Sequence, residues 1–133
     1  FKLEVPATLP TLELDKELMR VAINNLLTNA IKYSDPGGVV TMTAEESDET
    51  VRVSVKDNGV GISPEDQERI FDKFYRSESD EVRKRSGHGL GLSLAREIIQ
   101  LHHGKLSVNS TYGAGSEFII ELDKEARLLK QAV

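Results

Sequence analysis

An α+β sandwich is predicted: one mixed, mostly antiparallel sheet with helices layered on one face. Three observations carry that prediction. Two pairs of segments alternate apolar and polar residues across short turn-like stretches, as hairpin strands do. Two longer segments repeat their apolar residues at helical spacing. Helical and strand-like stretches then alternate along the chain, which describes one sheet with helices layered on it.

At 133 residues, with 38% apolar and 29% charged side chains, the chain suits one domain with a core and is short for two. A single domain, 1–133, is expected. Cysteine is absent, which excludes disulfides and cysteine-ligated zinc. A net charge of −5 argues against a nucleic-acid partner, although Arg83-Lys84-Arg85 is a local basic patch. No apolar run approaches a membrane span, so no direct membrane contact is expected from this domain.

The first residues alternate in two bursts, Phe1-Lys2-Leu3-Glu4-Val5 and Thr11-Leu12-Glu13-Leu14, kept apart by Pro6 and Pro10. Two short edge strands are predicted. Asp15 then caps a helix over 16–33, which Asp35-Pro36-Gly37-Gly38 stops. At 100° per residue Met19, Ala22, Ile23, Leu26 and Ala30 share a core-facing stripe. Strands are predicted over 39–46 and 50–56, then a helix starting at Ser63-Pro64 and continuing to Phe74. Residues 77–86 mix acids and bases without apolar periodicity and read as a mobile loop. A helix with a broad core face (Leu92, Leu94, Ala95, Ile98, Ile99, Leu101, His102) runs from Leu90 until Gly104 ends it. A second hairpin over 105–110 and 116–122 follows, and then a short charged helix or tail over 123–133.

Three stretches carry possible chemistry. Asn25, Asn29 and Lys32 lie within about 60° on one stripe of the first long helix. They form either a solvated polar face or, with Tyr33, a set of carbonyl oxygens for a hard metal ion, an ammonium for phosphate and a ring for stacking. Asp57-Asn58-Gly59-Val60-Gly61-Ile62 is either an Asn-Gly turn or a loop holding a flat heterocycle. In the second case Asp57 accepts from an exocyclic amine, while Gly59 and Gly61 let the ring lie against backbone. Gly87-His88-Gly89-Leu90-Gly91-Leu92 feeds a helix start, which makes it ordinary loop punctuation or a phosphate cradle of main-chain N–H groups. His88 reads as a tolerated loop side chain, and His102-His103 as a helix C-terminal feature.

Taken together, the motifs resemble those of sensor histidine kinases. Asn25-Leu26-Leu27-Thr28-Asn29-Ala30-Ile31-Lys32-Tyr33-Ser34 is similar to the N box, and 57–62 to the first glycine box. Phe71-Asp72-Lys73-Phe74-Tyr75-Arg76 is similar to the F box, and 87–92 to the second glycine box. All four stand in the family's order and at its intervals, covering about 14–122. The resemblance implies the Bergerat ATP-binding fold of histidine kinases, gyrase, Hsp90 and MutL. It implies ATP and Mg²⁺ as cofactors, with Asp57 on the adenine amine, Ser116 helping through water, and Ile62 and Tyr33 walling the ring. Asn29, with Asn25 beside it, would hold magnesium. Lys32 and Arg76 would face the phosphates, Phe74 would belong to the nucleotide site, and the backbone of Gly87, Gly89, Leu90, Gly91 and Leu92 would wrap the phosphate chain. Asn25, Lys32 and Arg76 form the implied catalytic group, and 77–91 the ATP lid.

Related ATPases place a glutamate base where Asn25 stands, and asparagine cannot take that proton, so transfer is favoured over hydrolysis. The phosphoacceptor histidine of such kinases lies in a helical hairpin domain, and no such motif occurs in this sequence. The implied partners are therefore ATP, a separate histidine-bearing dimerisation domain and a downstream response regulator. The implied setting is cytoplasmic, within a membrane-anchored kinase. The alternatives are a serine-directed kinase of the same fold and a non-catalytic nucleotide-sensing or docking module.

Overall fold

A computed structural model of the chain describes residues 1–4, 14–72 and 91–123. In chain order they form β1 (Lys2–Glu4), α1 (Lys16–Tyr33), β2 (Val40–Glu46), β3 (Thr50–Asp57), α2 (Pro64–Gln67), α3 (Gly91–Leu101), β4 (Lys105–Thr111) and β5 (Gly115–Asp123). The strands make one sheet in the order β1-β2-β3-β5-β4, in which β1 and β2 run parallel and every other pair antiparallel. The parallel pair requires a crossover, and α1 supplies it. The expected mixed, mostly antiparallel sheet is what forms.

Helix α1 begins where its cap chemistry places it. Asp15 is extended (φ −76°, ψ 109°), and its Oδ1 accepts from the Leu18 N–H at 2.9 Å. One of the unpaired donors of the first turn is thereby satisfied. At the other end the Ser34 hydroxyl donates to the Ala30 carbonyl at 2.8 Å, and the chain turns extended before Pro36. Helix α3 ends in a Schellman arrangement, with Gly104 N–H bonded to Ile99 O at 2.9 Å and His103 N–H to Gln100 O at 3.0 Å. The left-handed position is occupied by His103 (φ 59°) rather than by Gly104. Gly104 is needed one residue later, where a Cβ would press on the Leu122 side chain and the Glu121 carbonyl.

The core lies between α1, α3 and one sheet face. Met19, Ala22, Leu26 and Ala30 of α1 and Ala95, Ile98 and Ile99 of α3 pack with Val40, Val55, Leu106, Phe118, Ile120 and Leu122. At about 25 cal/mol per Å² of apolar surface, this layer is the main source of stability. Phe71 meets Phe118 edge-on at 6.2 Å and 86°, with the Arg96 guanidinium 5.5 Å from its ring centre. The first aromatic of the 71–76 stretch is thus an anchor to the sheet and to α3.

Several expectations are corrected. The helix expected over 63–74 is only the four residues of α2, after which Arg69 and Asp72 continue in turns bonded three residues back. Ile70 and Phe71, in that turn segment, both pack against the core. On α3 the core face is narrower than predicted. Leu94 and Leu101, seven residues apart on one stripe, are 42% and 39% exposed. His102, which the pattern places on the core face at the helix end, is indeed wholly buried: its Nε2 accepts from the Asp15 N–H at 3.0 Å and its Nδ1 lies 2.8 Å from the Ile98 carbonyl. A backbone amide can only donate and a carbonyl only accept, so the ring is the Nδ1–H tautomer, clamping the end of α3 to the start of α1. The predicted strand at 11–14 lies outside the described residues except for Leu14, which is not in a strand. The predicted 77–86 loop and all but the first residue of the 123–133 tail also lie outside them; that residue, Asp123, closes β5.

Candidate functional site

The site is organised at the end of the sheet where Asp57 closes β3. In the register Asp57 faces Val40 of β2 on one side and Ser116 of β5 on the other. Cross-strand partners share a sheet face, so the carboxylate and the serine hydroxyl stand side by side under the helical layer. Both are buried, Asp57 at 4% exposure. Asp57 Oδ1 accepts from the Gly59 N–H at 2.9 Å, an Asx-type bond that shapes the loop. Burial pushes the Asp57 carboxyl above its usual range, and the N–H groups of Gly59 and Ser116 offset part of that rise. A group that core packing alone would favour as apolar has been kept ionisable here.

The loop after Asp57 is fixed by close backbone contacts. A Cβ on Gly59 would run into the Tyr33 carbonyl, and Gly61, at φ 73°, would strike the Thr111 carbonyl. Only glycine allows these approaches. Val60 N–H bonds to Tyr33 O at 3.3 Å, and Gly113 N–H bonds to Val60 O at 2.6 Å. Asn58 Oδ1 accepts from the Val39 N–H at 2.9 Å, which ties the loop to the start of β2. Part of the ordinary-turn reading therefore holds, since Asn58 and one oxygen of Asp57 serve the loop itself.

Two residues that the sequence reading did not single out complete the framework. Gln67 of α2 donates to the Ile62 carbonyl at 2.7 Å and to the Ser110 carbonyl at 3.0 Å. Ser110 of β4 accepts from the Ile62 N–H at 2.8 Å, donates to the Gly115 carbonyl at 2.8 Å, and lies 2.9 Å from the Ser116 hydroxyl. Its one signal in the sequence is a polar residue continuing the inward alternation of Leu106 and Val108.

Helix α1 is the rail along which the rest is arranged. Asn25, Asn29 and Tyr33 are half-buried and Lys32 is exposed. Asn25 Nδ2 donates to the Gly91 carbonyl at 3.1 Å, joining α1 to the first residue of α3. That bond uses the amide nitrogen and identifies the other terminal atom as the acceptor oxygen. The Asn29 side chain has no hydrogen bond among the described residues. Gly91 and Leu92 belong to the first turn of α3, as the helix expected from Leu90 has them. A Cβ on Gly91 would make only ordinary contact with Asn25, at 3.8 Å, so no described neighbour demands glycine there. Between the Asn25 contact and the Tyr33 contact the helix rises ~12 Å, which suits an extended ligand.

Tyr33, Asp57, Gly59, Gly61, Ile62 and Ser116 are thus brought together at one end, and Asn25, Gly91 and Leu92 at the other. Phe74, Arg76, Gly87, Gly89 and Leu90 lie outside the described residues. Among the described residues no group of three or more His, Cys, Asp or Glu side chains could hold a metal ion. No helix among them is long and apolar enough to cross a membrane.

Comparison with known proteins gives this fold a family. Residues 14–126 match the model of histidine kinase-, DNA gyrase B-, and HSP90-like ATPases, and the chain belongs to that family. It is 42% identical over 110 residues to the heme sensor protein HssS of Staphylococcus saprophyticus, covering 83% of this chain and 23% of that protein. It is 45% identical over 116 residues to the adaptive-response sensory kinase SasA of Crocosphaera subtropica, covering 86% of this chain and 30% of that one. The chain therefore spans less than a third of the length of these relatives. Among solved structures, the nucleotide-free catalytic domain of histidine kinase ThkA superposes with a TM-score of 0.79 at 32% identity, covering 93% of this chain and 79% of that one. Full-length ShkA in complex with AMPPNP gives a TM-score of 0.77 at 32% identity, covering 99% of this chain and 26% of that one. The chain is an ATP-binding domain of the sensor-histidine-kinase type.

Proposed function

We propose that this domain binds Mg·ATP and donates the γ-phosphoryl group to a histidine on a separate helical dimerisation domain, from which a response regulator takes it. The observation that carries the reading is the buried, ionisable Asp57 beside Ser116, at the end of a loop whose glycines are required by backbone approach. An acceptor pair in that position suits an exocyclic amine, while Gly59 and Gly61, whose Cβ positions the Tyr33 and Thr111 carbonyls already take up, hold the loop in shape beside the pair and do not themselves make room for a ring. Ile62 and Tyr33 would wall that ring, with Phe74 nearby.

The phosphates would lie toward the start of α3, where first-turn N–H groups and the helix dipole favour anions. Gly91, for which no described neighbour supplies a steric reason, suits close approach of a phosphate. Lys32 and Arg76 would neutralise charge, and Gly87, Gly89, Leu90 and Leu92 would complete the cradle, with 77–91 as a lid. The donor set fits magnesium: the Asn25 oxygen is oriented by the amide's bond to Gly91, Asn29 is uncommitted among the described residues, and Mg²⁺ is commonly held by few protein oxygens plus phosphates and water. When bound, that ion would supply charge neutralisation across the phosphate chain. Asn25 cannot act as a general base, so the side chains present position and neutralise without activating water. The domain would work in the cytoplasm, as part of a longer, membrane-anchored kinase.

The test combines this chain with a histidine-bearing helical dimerisation domain and γ-labelled ATP. Acid-labile, base-stable label on the helical domain is expected. Acid-stable label would assign the chain to serine-directed kinases instead, and nucleotide binding without transfer to any such domain would assign it to sensing modules.

A further inference from the structure

Ser110 makes three contacts with one hydroxyl, and their balance has a consequence for its neighbour. A serine hydroxyl has one proton and two lone pairs. Facing the Gly115 carbonyl at 2.8 Å, Ser110 must donate, because a carbonyl only accepts. Facing the Ile62 N–H at 2.8 Å, it must accept. Its remaining contact, at 2.9 Å, is with the Ser116 hydroxyl. With the Ser110 proton already committed to Gly115, the Ser116 hydroxyl donates. The proton of Ser116 is therefore spent inside the protein, and only its lone pairs remain for a ligand.

We propose that Ser110 is a positioning residue that fixes Ser116 as an acceptor and so sets selectivity for a 6-aminopurine over a 6-oxopurine; this rests on the adenine site proposed above. Asp57, paired opposite Ser116, is itself an acceptor when ionised. A base edge placed against the pair has to bring hydrogens to both, which an amino group does and a keto oxygen does not. A single water shared by Asp57 and Ser116 leads to the same requirement. Both of its hydrogens go to the two acceptors, so it turns only lone pairs toward the base. Ser110 touches no ligand in this scheme. It acts through the direction of one hydroxyl proton, held by a loop (Ile62) and a turn (Gly115) that Gln67 further braces through the Ile62 and Ser110 carbonyls.

The test measures dissociation constants for ATP and for inosine triphosphate with the wild-type chain, Ser110→Ala and Ser110→Thr. Removing the Ser110 oxygen frees the Ser116 proton to meet a keto group. The ATP preference is then expected to fall by about tenfold in Ser110→Ala, the scale of one buried hydrogen bond. Ser110→Thr, which keeps the hydroxyl, should restore it. Parallel weakening of both ligands, with the preference unchanged, would show a merely structural role and overturn the proposal. Should Ser110→Ala fail to fold, Ser116→Ala leaves the bonds of Ser110 to Ile62 and Gly115 in place. An unchanged preference in that variant overturns the proposal equally. A wild-type chain that binds neither nucleotide would remove the adenine site itself, whereas a normal ATP preference that survives Ser110→Ala removes only the role of Ser110.

Discussion

Asp57 and Ser116 face each other across β3 and β5, both buried, at the one end of the sheet where the loop 58–62 and the β4–β5 turn converge. Their neighbours on the same face are the apolar core positions Val55 and Phe118. A carboxylate in that setting costs stability, and the direction of its pKa shift shows it. Asp57 holds its proton more tightly folded than unfolded. Between the ordinary carboxylate range and the raised value, the folded chain carries a proton that the unfolded chain has lost, so the Asp57 contribution to stability falls as pH rises through that window. Urea unfolding without nucleotide should show this component of slope in the wild type and lack it in Asp57→Asn. ATP affinity should run the other way, weakening as pH falls into the window and the carboxylate protonates.

Gly61→Ala tests the loop. The substitution meets both a left-handed backbone and the Thr111 carbonyl. A loss of about 1–3 kcal/mol is expected from chemical denaturation, together with weakened ATP binding, because the loop can relieve the clash only by moving. Full retention of both would show that the loop does not depend on this approach.

His102 is expected to matter for stability and not for nucleotide. Replacing it with Ala leaves a cavity and an unpaired Asp15 N–H, at a cost of about 2–4 kcal/mol by urea titration. The folded fraction should bind ATP with wild-type affinity, since the clamp lies at the opposite end of α1 from Tyr33.

Asn29→Asp tests the metal assignment. A carboxylate in place of the amide should shift the magnesium concentration for half-maximal ATP binding by about threefold or more. It should also weaken metal-free ATP binding by placing like charge near the phosphates. An unchanged magnesium requirement would count against Asn29 as a ligand.

Much of this was legible in the sequence because its signals are local. The Asp15 cap, the α1 stripe and the alternation of all four antiparallel strands depend on residues close to one another along the chain. The 57–62 loop was legible as a candidate site because glycine spacing and a carboxylate at a strand end are also local. What was hidden depends on tertiary context. His102 fell on the core face of the pattern, but its bond to Asp15 exists only because the end of α3 meets the start of α1. The helix beginning at Pro64 stopped after one turn and gave way to turns that carry Ile70 and Phe71 onto the core, a path with no local sequence signal. Leu94 and Leu101 counted as apolar in the pattern, yet their stripe faces away from the sheet. Ser110 and Gln67 have no motif of their own. Their importance is a matter of which carbonyls and amides a hydroxyl and an amide happen to meet.

The central claim is that Asp57 reads a base and is not a structural necessity. Calorimetric titration of Mg·ATP into the wild-type chain and into Asp57→Asn, each with its thermal melt, tests it most directly. The asparagine keeps an oxygen for the Gly59 N–H and relieves the buried charge, so the variant should melt at the same temperature or higher at neutral pH. Its ATP binding should weaken about a hundredfold or more, as expected for a charged hydrogen bond replaced by a poorly matched amide. Wild-type affinity in Asp57→Asn, or loss of binding only alongside loss of folding, would contradict the account.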